Sequence, residues 1–319
     1  MKEKISRYMD IKRVEFTVTH QCGGKCRHCQ SGSSINKRGT HRHVLAEYAV
    51  DAIEKLSTVF DITSVMTFGG EPLYYPDVTA AIHRKAADCG IETREIITNG
   101  YFTNSAEKSK RVALSLLDAG INALFISADA LHQEFIPIEP VYRFAADVAE
   151  AKIPGAFLHP AWVVDKHHSN PYNDKTREIL ARFSDLPIAV GSNTVDLNGR
   201  AAQFLAEYYP ERQPLSLDDP DLSTPCAELA NVQGFGIEPN GNVACCGFVL
   251  GNIYTEDILD IVRRYSPYEN EGMMAVINGG VAGLHSYAEK QGVHIDISKF
   301  YSACWDACGT IAGCLSSKI

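Results

Sequence analysis

The sequence predicts an α/β protein: a parallel sheet curved into a partial (β/α)6 barrel, followed by a smaller, irregular, cysteine-bearing tail. Three observations predict this. Strand-like and helix-like segments alternate about six times over the first two-thirds of the chain. The polar motifs of this stretch fall at or just after strand ends, where parallel folds gather their ligands. After Leu205 the alternation stops, and six of the ten cysteines follow.

The elements read in order. Val14 to Thr19 alternates apolar and polar residues, as a half-buried strand does. Leu45, Ala49, Ala52, Ile53 and Leu56 fall on one helical face. Ser64 to Phe68 is a short buried strand ending in Gly69-Gly70, and Val78, Ile82 and Ala86 mark the next helix. Glu95 to Thr98 is a strand closed by Asn99-Gly100. Asn104 with Glu107 suits the cap of a helix running to about Ala119. Ala123 to Ser127 is a fourth strand, and Val141, Phe144, Ala145 and Val148 face one side of a fourth helix. Phe157 to Val164 and Ile188 to Gly191 complete the strands. Tyr208 to Asp221, rich in Pro and Asp, reads as a linker. It places a boundary near 210 between a domain at 1–210 and a second at 211–319. The chain begins almost at its first strand, so no separate N-terminal recognition domain is expected.

Composition narrows the function classes. The 319 residues are 45% hydrophobic, enough for a sizeable core. Asp plus Glu outnumber Lys plus Arg, 39 to 30, for a net charge of −9, which argues against generic nucleic-acid binding. No apolar run reaches the length of a membrane span, and Met1 to Asp10 lacks a signal-peptide core. The expectation is a cytoplasmic protein without nucleic-acid or membrane partners. Its cysteines then point to metal or redox chemistry rather than disulfides. Nine fall in two groups, at 22, 26 and 29 and at 226, 245, 246, 304, 308 and 314; Cys89 stands apart as a small apolar residue.

Cys22, Cys26 and Cys29 lie within eight residues just after the first strand. Thiolates are soft ligands suited to zinc or iron–sulfur clusters. Zinc would ask for a fourth ligand, such as His20 or His28. Three thiolates on a four-iron cluster leave one iron open.

C-x-x-x-C-x-x-C after a first strand resembles the signature of the radical S-adenosylmethionine (SAM) superfamily. The resemblance implies a TIM-type partial barrel whose open iron chelates SAM and whose cluster cleaves it to a 5′-deoxyadenosyl radical. By the same resemblance His28 lies against the adenine, and Gly69-Gly70-Glu71-Pro72 holds the SAM amino group. Thr98 and Asn99 line the pocket, and Ser127 and Asp129 reach the ribose hydroxyls and methionine carboxylate. Asn198-Gly199-Arg200-Ala201 looks like a segment found after the last barrel strand of relatives; a plain helix start is the alternative. His132, three residues after Asp129, completes an S-x-D-x-x-H string seen in some peptide-modifying relatives, or is a solvated helix-entry residue. His41, His43, His167 and His168 read as surface residues.

The C-terminal cysteines resemble the SPASM or twitch extension, an irregular iron–sulfur cluster domain. That resemblance implies one auxiliary 4Fe–4S cluster on Cys226, Cys245, Cys304 and Cys308, a zinc knot on the same ligands being the alternative. The adjacent cysteines also resemble those of radical SAM peptide epimerases, which makes Cys246 the expected hydrogen donor. The expected function is therefore hydrogen abstraction from a ribosomally made precursor peptide, with L-to-D epimerisation as the leading outcome. A reducing partner such as flavodoxin or ferredoxin is implied. Peptide thioether or carbon–carbon cross-linking and radical oxidation of a small alcohol or sugar are the alternatives, with a non-catalytic metal-sensing protein as the contrasting class.

Overall fold

The computed structural model describes residues 4–31, 35–36 and 41–316. In chain order the first half runs β1 (Met9–Thr19), α1 (Ala46–Val59), β2 (Ser64–Gly69), α2 (Pro76–Asp88), β3 (Thr93–Thr98), α3 (Ala106–Asp118), β4 (Ala123–Ile126), the short α4 (Ala130–Gln133) and α5 (Ile138–Ala151). Then come β5 (Ala156–Leu158), β6 (Ala161–Trp162), α6 (Pro171–Ala181), β7 (Ala189–Val190), β8 (Asn193–Thr194) and α7 (Gly199–Phe204). The C-terminal part contains β9 (Val232–Ile237), β10 (Asn242–Cys245), β11 (Phe248–Asn252), α8 (Ile258–Arg264), α9 (Glu271–Lys290) and α10 (Gly309–Ser316).

One nine-stranded sheet has the order β11-β10-β9-β1-β2-β3-β4-β5-β7, and β6 pairs with β8 beside it. The strands from β1 to β5 and β7 are all parallel, joined in neighbouring pairs. These are the six strands of the expected partial barrel. The sheet stays open, because its end strands β11 and β7 do not pair with each other.

The helices form where the apolar spacing puts them. Ala49, Ala52, Ile53 and Leu56 are the buried face of α1. Leu45 is its N-cap and makes no side-chain cap; its N–H instead donates to the Tyr254 hydroxyl at 2.8 Å. The α3 cap differs from expectation by one residue. Ser105, not Asn104, caps the helix by accepting from the Lys108 N–H, because the first helical residue is Ala106 and Ser105 stands at the N-cap. Phe157 to Val164 is likewise not one strand. Pro160 has no N–H to give the ladder, so the chain leaves the main sheet after Leu158 and re-pairs at Ala161 in the β6–β8 ribbon.

The largest departure lies beyond residue 210. Instead of an irregular tail, β9 pairs in parallel with β1, and β10 and β11 follow as antiparallel hairpin strands. One hydrophobic core therefore holds Val14, Phe16 and Leu56 together with Ile237, Val262 and Leu284. A second core lies between β3, β4, α3 and α5 around Ile96, Leu124 and Phe144. Among the described residues no helix is long and apolar enough to cross a membrane.

Candidate functional site

A cavity of about 390 Å³ lies over the C-terminal ends of the parallel strands. Its walls bring together Cys22, Cys26, His28, Cys29, Gly69, Gly70, Thr98, Asn99 and Ser127, nine residues singled out in the sequence. The cysteine loop is pinned from several sides. Gly70 N–H donates to the Thr19 carbonyl at 2.7 Å and Glu71 N–H to the Gln21 carbonyl at 2.8 Å. A Cβ on Gly70 would come within 2.2 Å of that Gln21 oxygen, which is why a glycine stands there. Asn99 Nδ2 lies 3.5 Å from the Cys22 sulfur, and the Gly24 N–H points at the same sulfur at 3.3 Å.

Arg200 holds the loop from the far side. Its Nε donates to the Cys26 carbonyl at 3.0 Å, a terminal nitrogen donates to the Lys25 carbonyl at 3.1 Å, and its backbone N–H reaches the Cys29 carbonyl at 3.4 Å. The guanidinium also lies 4.9 Å over the Phe204 ring. The Asn198–Ala201 segment is thus both the start of α7 and a clamp on the cysteine loop.

Two expected cofactor contacts are placed differently. Glu71 is fully buried and does not line the cavity. Its carboxylate accepts from Leu73 N–H at 2.9 Å, Thr98 Oγ1 at 2.6 Å and Asn99 N–H at 2.8 Å, so it ties the end of β2 to the end of β3. Burial pushes its carboxyl up to about 7 against these bonds. Asp129 is also fully buried behind the wall. It accepts from the His132 N–H at 3.0 Å, His132 Nδ1 at 2.8 Å and the Ala161 N–H at 3.0 Å. Burial pushes the Asp129 carboxyl up, but His132 and these bonds outweigh it and hold it near 2. Both carboxylates position strand ends rather than face the cavity.

His132 does reach the cavity wall, so it is not a solvated helix-entry residue. Its ring meets that of His28 edge-on at 4.7 Å. Burial, helped by His132, lowers His28 to about 4 and keeps it neutral near pH 7. Sequence reasoning missed Glu15, Met66 and His159 on the same wall. His159 was legible only as a polar residue at a strand end before Pro160.

The three thiols fit a thiolate-held cluster. They share one cavity wall on a single loop, and two of the sulfurs flank the position a Gly24 Cβ would take, at 3.1 and 3.6 Å. Burial raises all three, Cys22 to about 11, while Arg200 opposes the rise at Cys29. Positive iron is what would let such thiols ionise together. Among the described residues no three His, Cys, Asp or Glu side chains converge in the manner of a single-ion site.

All ten cysteines are free thiols. The C-terminal group stands away from the cavity walls. Cys246 and Gly247 form the turn between β10 and β11, both at positive φ, 50° and 83°. A Cβ on Gly247 would lie 2.6 Å from the Gly309 carbonyl, so the turn sits directly against the residue after Cys308. The Cys246 sulfur is 3.8 Å from both the Cys245 sulfur and a Glu228 oxygen. Contact with Cys245, burial and the Glu228 carboxylate push the Cys246 thiol up. Burial, then Cys246, Cys304 and Cys226, push Cys308 up to about 12. Cys304 is raised by burial, Glu228, Cys246 and Cys226. Cys245 and Cys246 thus stand side by side in this region with Cys226, Cys304 and Cys308, the expected ligand Cys245 among them.

Residues 16–155 match the family model described as the Radical SAM superfamily. The chain is 26% identical over 134 residues to GTP 3′,8-cyclase of Moorella thermoacetica, covering 42% of this chain and 39% of that protein. It is 32% identical over 136 residues to a probable GTP 3′,8-cyclase of Methanocaldococcus jannaschii, covering 42% and 41%. The chain thus spans about two-fifths of the length of these curated relatives. In fold it is similar to solved structures of anSMEcpe. One, with bound AdoMet, has a TM-score of 0.51 at 13% identity over 96% of this chain and 91% of that one. Another, with AdoMet and a Cp18Cys peptide, has a TM-score of 0.50 at 12% identity over 96% and 95%. The matched stretch, less than half of the chain, begins within β1 and contains the cysteine loop and the strand ends that hold it, so over these residues the chain is similar to the radical SAM superfamily.

Proposed function

We propose that this radical SAM enzyme abstracts a hydrogen atom from a ribosomally made peptide, with L-to-D epimerisation as the leading reaction. When bound, the cluster at Cys22, Cys26 and Cys29 together with SAM supplies a 5′-deoxyadenosyl radical able to attack an unactivated carbon. The chain's own residues hold that chemistry in place. Asn99 and Arg200 fix the cysteine loop, and Glu71 locks the two strand ends beneath it. His132 keeps its orientation through Asp129, and Ser127 and Thr98 offer polar wall to SAM. Reduction calls for a partner such as flavodoxin or ferredoxin.

The observation that carries the substrate reading is the charge of the cavity wall. Among the described residues it bears Glu15 and Asp196 and no Lys or Arg. A nucleoside triphosphate, the substrate named for the curated relatives, needs cationic donors for its phosphates, and these walls supply none. An uncharged peptide backbone meets no such demand.

An auxiliary 4Fe–4S cluster on the C-terminal thiols is part of the proposal, and six cysteines leave thiols beyond its four ligands. In the epimerisation reading one member of the Cys245–Cys246 pair returns the hydrogen. The packing of the Cys246–Gly247 turn against Gly309, the residue after Cys308, favours a second reading, cross-linking, in which Cys246 is a ligand and the cluster accepts an electron.

The test is anaerobic turnover of synthetic peptides in D2O with SAM and reductant, read by mass spectrometry and chiral amino-acid analysis. One solvent deuteron at a D-residue, with no other mass change, supports epimerisation. Loss of two hydrogens supports cross-linking. Peptides returned unchanged alongside abundant 5′-deoxyadenosine and a modified small alcohol would overturn the peptide reading.

A further inference from the structure

A second cavity, of about 850 Å³, adjoins the first. Thr194, Val195 and Asp196 stand on the walls of both, so the two cavities share one wall, and the second extends to Ala303, beside Cys304. Its outer wall comes from the stretch around Tyr208 to Leu222, which the sequence presents as a linker.

The chemistry of this wall is one-sided. Asp196, Glu211, Asp219 and Asp221 line it, and among the described residues Arg212 is its single Lys or Arg. None of the four carboxylates forms an ion pair among the described residues. Tyr208 and Tyr301 add aromatic surface. An independent observation points the same way. Asn198 lines this cavity, is only 9% exposed, and its buried Oδ1 has no hydrogen-bond partner. Buried amide oxygens are nearly always paired, so this acceptor is suited to a donor from a bound group.

We infer that the second cavity is the substrate-recognition subsite and that it takes a peptide segment bearing Lys or Arg side chains. This rests on the peptide reading above and sharpens it. Ammonium and guanidinium groups pair with the carboxylates, lie over tyrosine faces, and leave an N–H for Asn198. An anionic segment would meet four carboxylates against one guanidinium. A segment anchored here would place its neighbouring residues across Thr194 to Asp196, facing the cofactor cavity.

The experiment uses the reconstituted holoenzyme with SAM and two labelled probes, tetralysine and tetraglutamate, followed by fluorescence anisotropy. Tetralysine should bind at least about tenfold tighter, and the preference should shrink as salt rises. Asp219→Asn with Asp221→Asn should weaken tetralysine about tenfold. Asn keeps the turn-capping ability of Asp219, so the fold is preserved. A control pair on remote surface, Asp10→Asn with Glu107→Gln, should leave binding unchanged. Equal binding of both probes, or equal weakening by the control pair, overturns the proposal. Spermidine competing as well as tetralysine would make the occupant a small amine and overturn the peptide assignment. Formation of 5′-deoxyadenosine in the same preparation reports the parent reading separately. Its absence with tetralysine still selected breaks that reading and keeps the subsite; its presence with no selection breaks the subsite alone.

Discussion

The two cysteine groups of this molecule are built by opposite means. The N-terminal three lie within eight residues, on one loop that rises from β1 and is pressed between neighbouring strand ends. The C-terminal thiols come from a segment before β9, the end of β10 and the turn after it, and the helical stretches around residues 303–316, and most of them share one core because three strands extend the sheet past β1. The first site is written in local sequence; the second is a product of tertiary assembly. The difference teaches where substitutions should act. Changes near the first site alter a prebuilt loop, whereas changes near the second alter which thiols meet.

The largest expected effect separates the two outright. Replacing Cys22, Cys26 and Cys29 together by Ala should abolish 5′-deoxyadenosine formation while about four irons remain per chain after anaerobic reconstitution. Continued SAM cleavage would break the comparison. Next, Cys246→Ala should cost the C-terminal site its irons, roughly four per chain, whereas Cys245→Ala should retain them. The reverse result would restore the ligand set expected from sequence and leave Cys246 free as a hydrogen donor.

A smaller effect is expected at the clamp. Arg200→Ala removes charge-assisted bonds to two loop carbonyls and should slow 5′-deoxyadenosine formation about tenfold, the equivalent of one to two kcal/mol. Iron at the C-terminal site should be unchanged. The smallest effect concerns pH. His83 is fully buried beneath the N-terminal sheet, with Nε2 2.8 Å from Thr67 Oγ1, and burial lowers it to about 3. The unfolded chain therefore binds a proton that the folded one refuses. His83 leaves stability intact above about pH 6.5 and erodes it as pH falls toward 3, by at most about 1.4 kcal/mol per pH unit. Urea midpoints at pH 7 and pH 5 should differ less in His83→Gln than in the parent protein.

Much of the first half was legible because its signals are local. The α1 face and the six parallel strands follow from spacing within a few positions, and the nine cavity residues sit in short motifs whose resemblance to the radical SAM signature places them. Glu71 and Asp129 were legible as strand-end carboxylates but not as buried ones, because burial depends on what packs over them from β3 and β6. The β1–β9 pairing was not legible at all. Periodicity identifies a strand but carries no address for a partner in a distant part of the chain. The packing of the Cys246–Gly247 turn against Gly309 was not legible either, because it joins segments more than sixty residues apart, a contact no spacing rule encodes.

The central place of β1 has a consequence for how the chain is made. Met9 pairs across the sheet with Val232, so more than two hundred residues must be synthesised before that edge of β1 finds its neighbour. At ribosomal speeds this is roughly 10–45 s during which a strand carrying Ile11, Val14 and Phe16 has an open side. A nascent chain stalled before β9 would present a ready template for another copy. The cell's handling of that half-finished edge, rather than the stability of the finished fold, would then set how much enzyme accumulates.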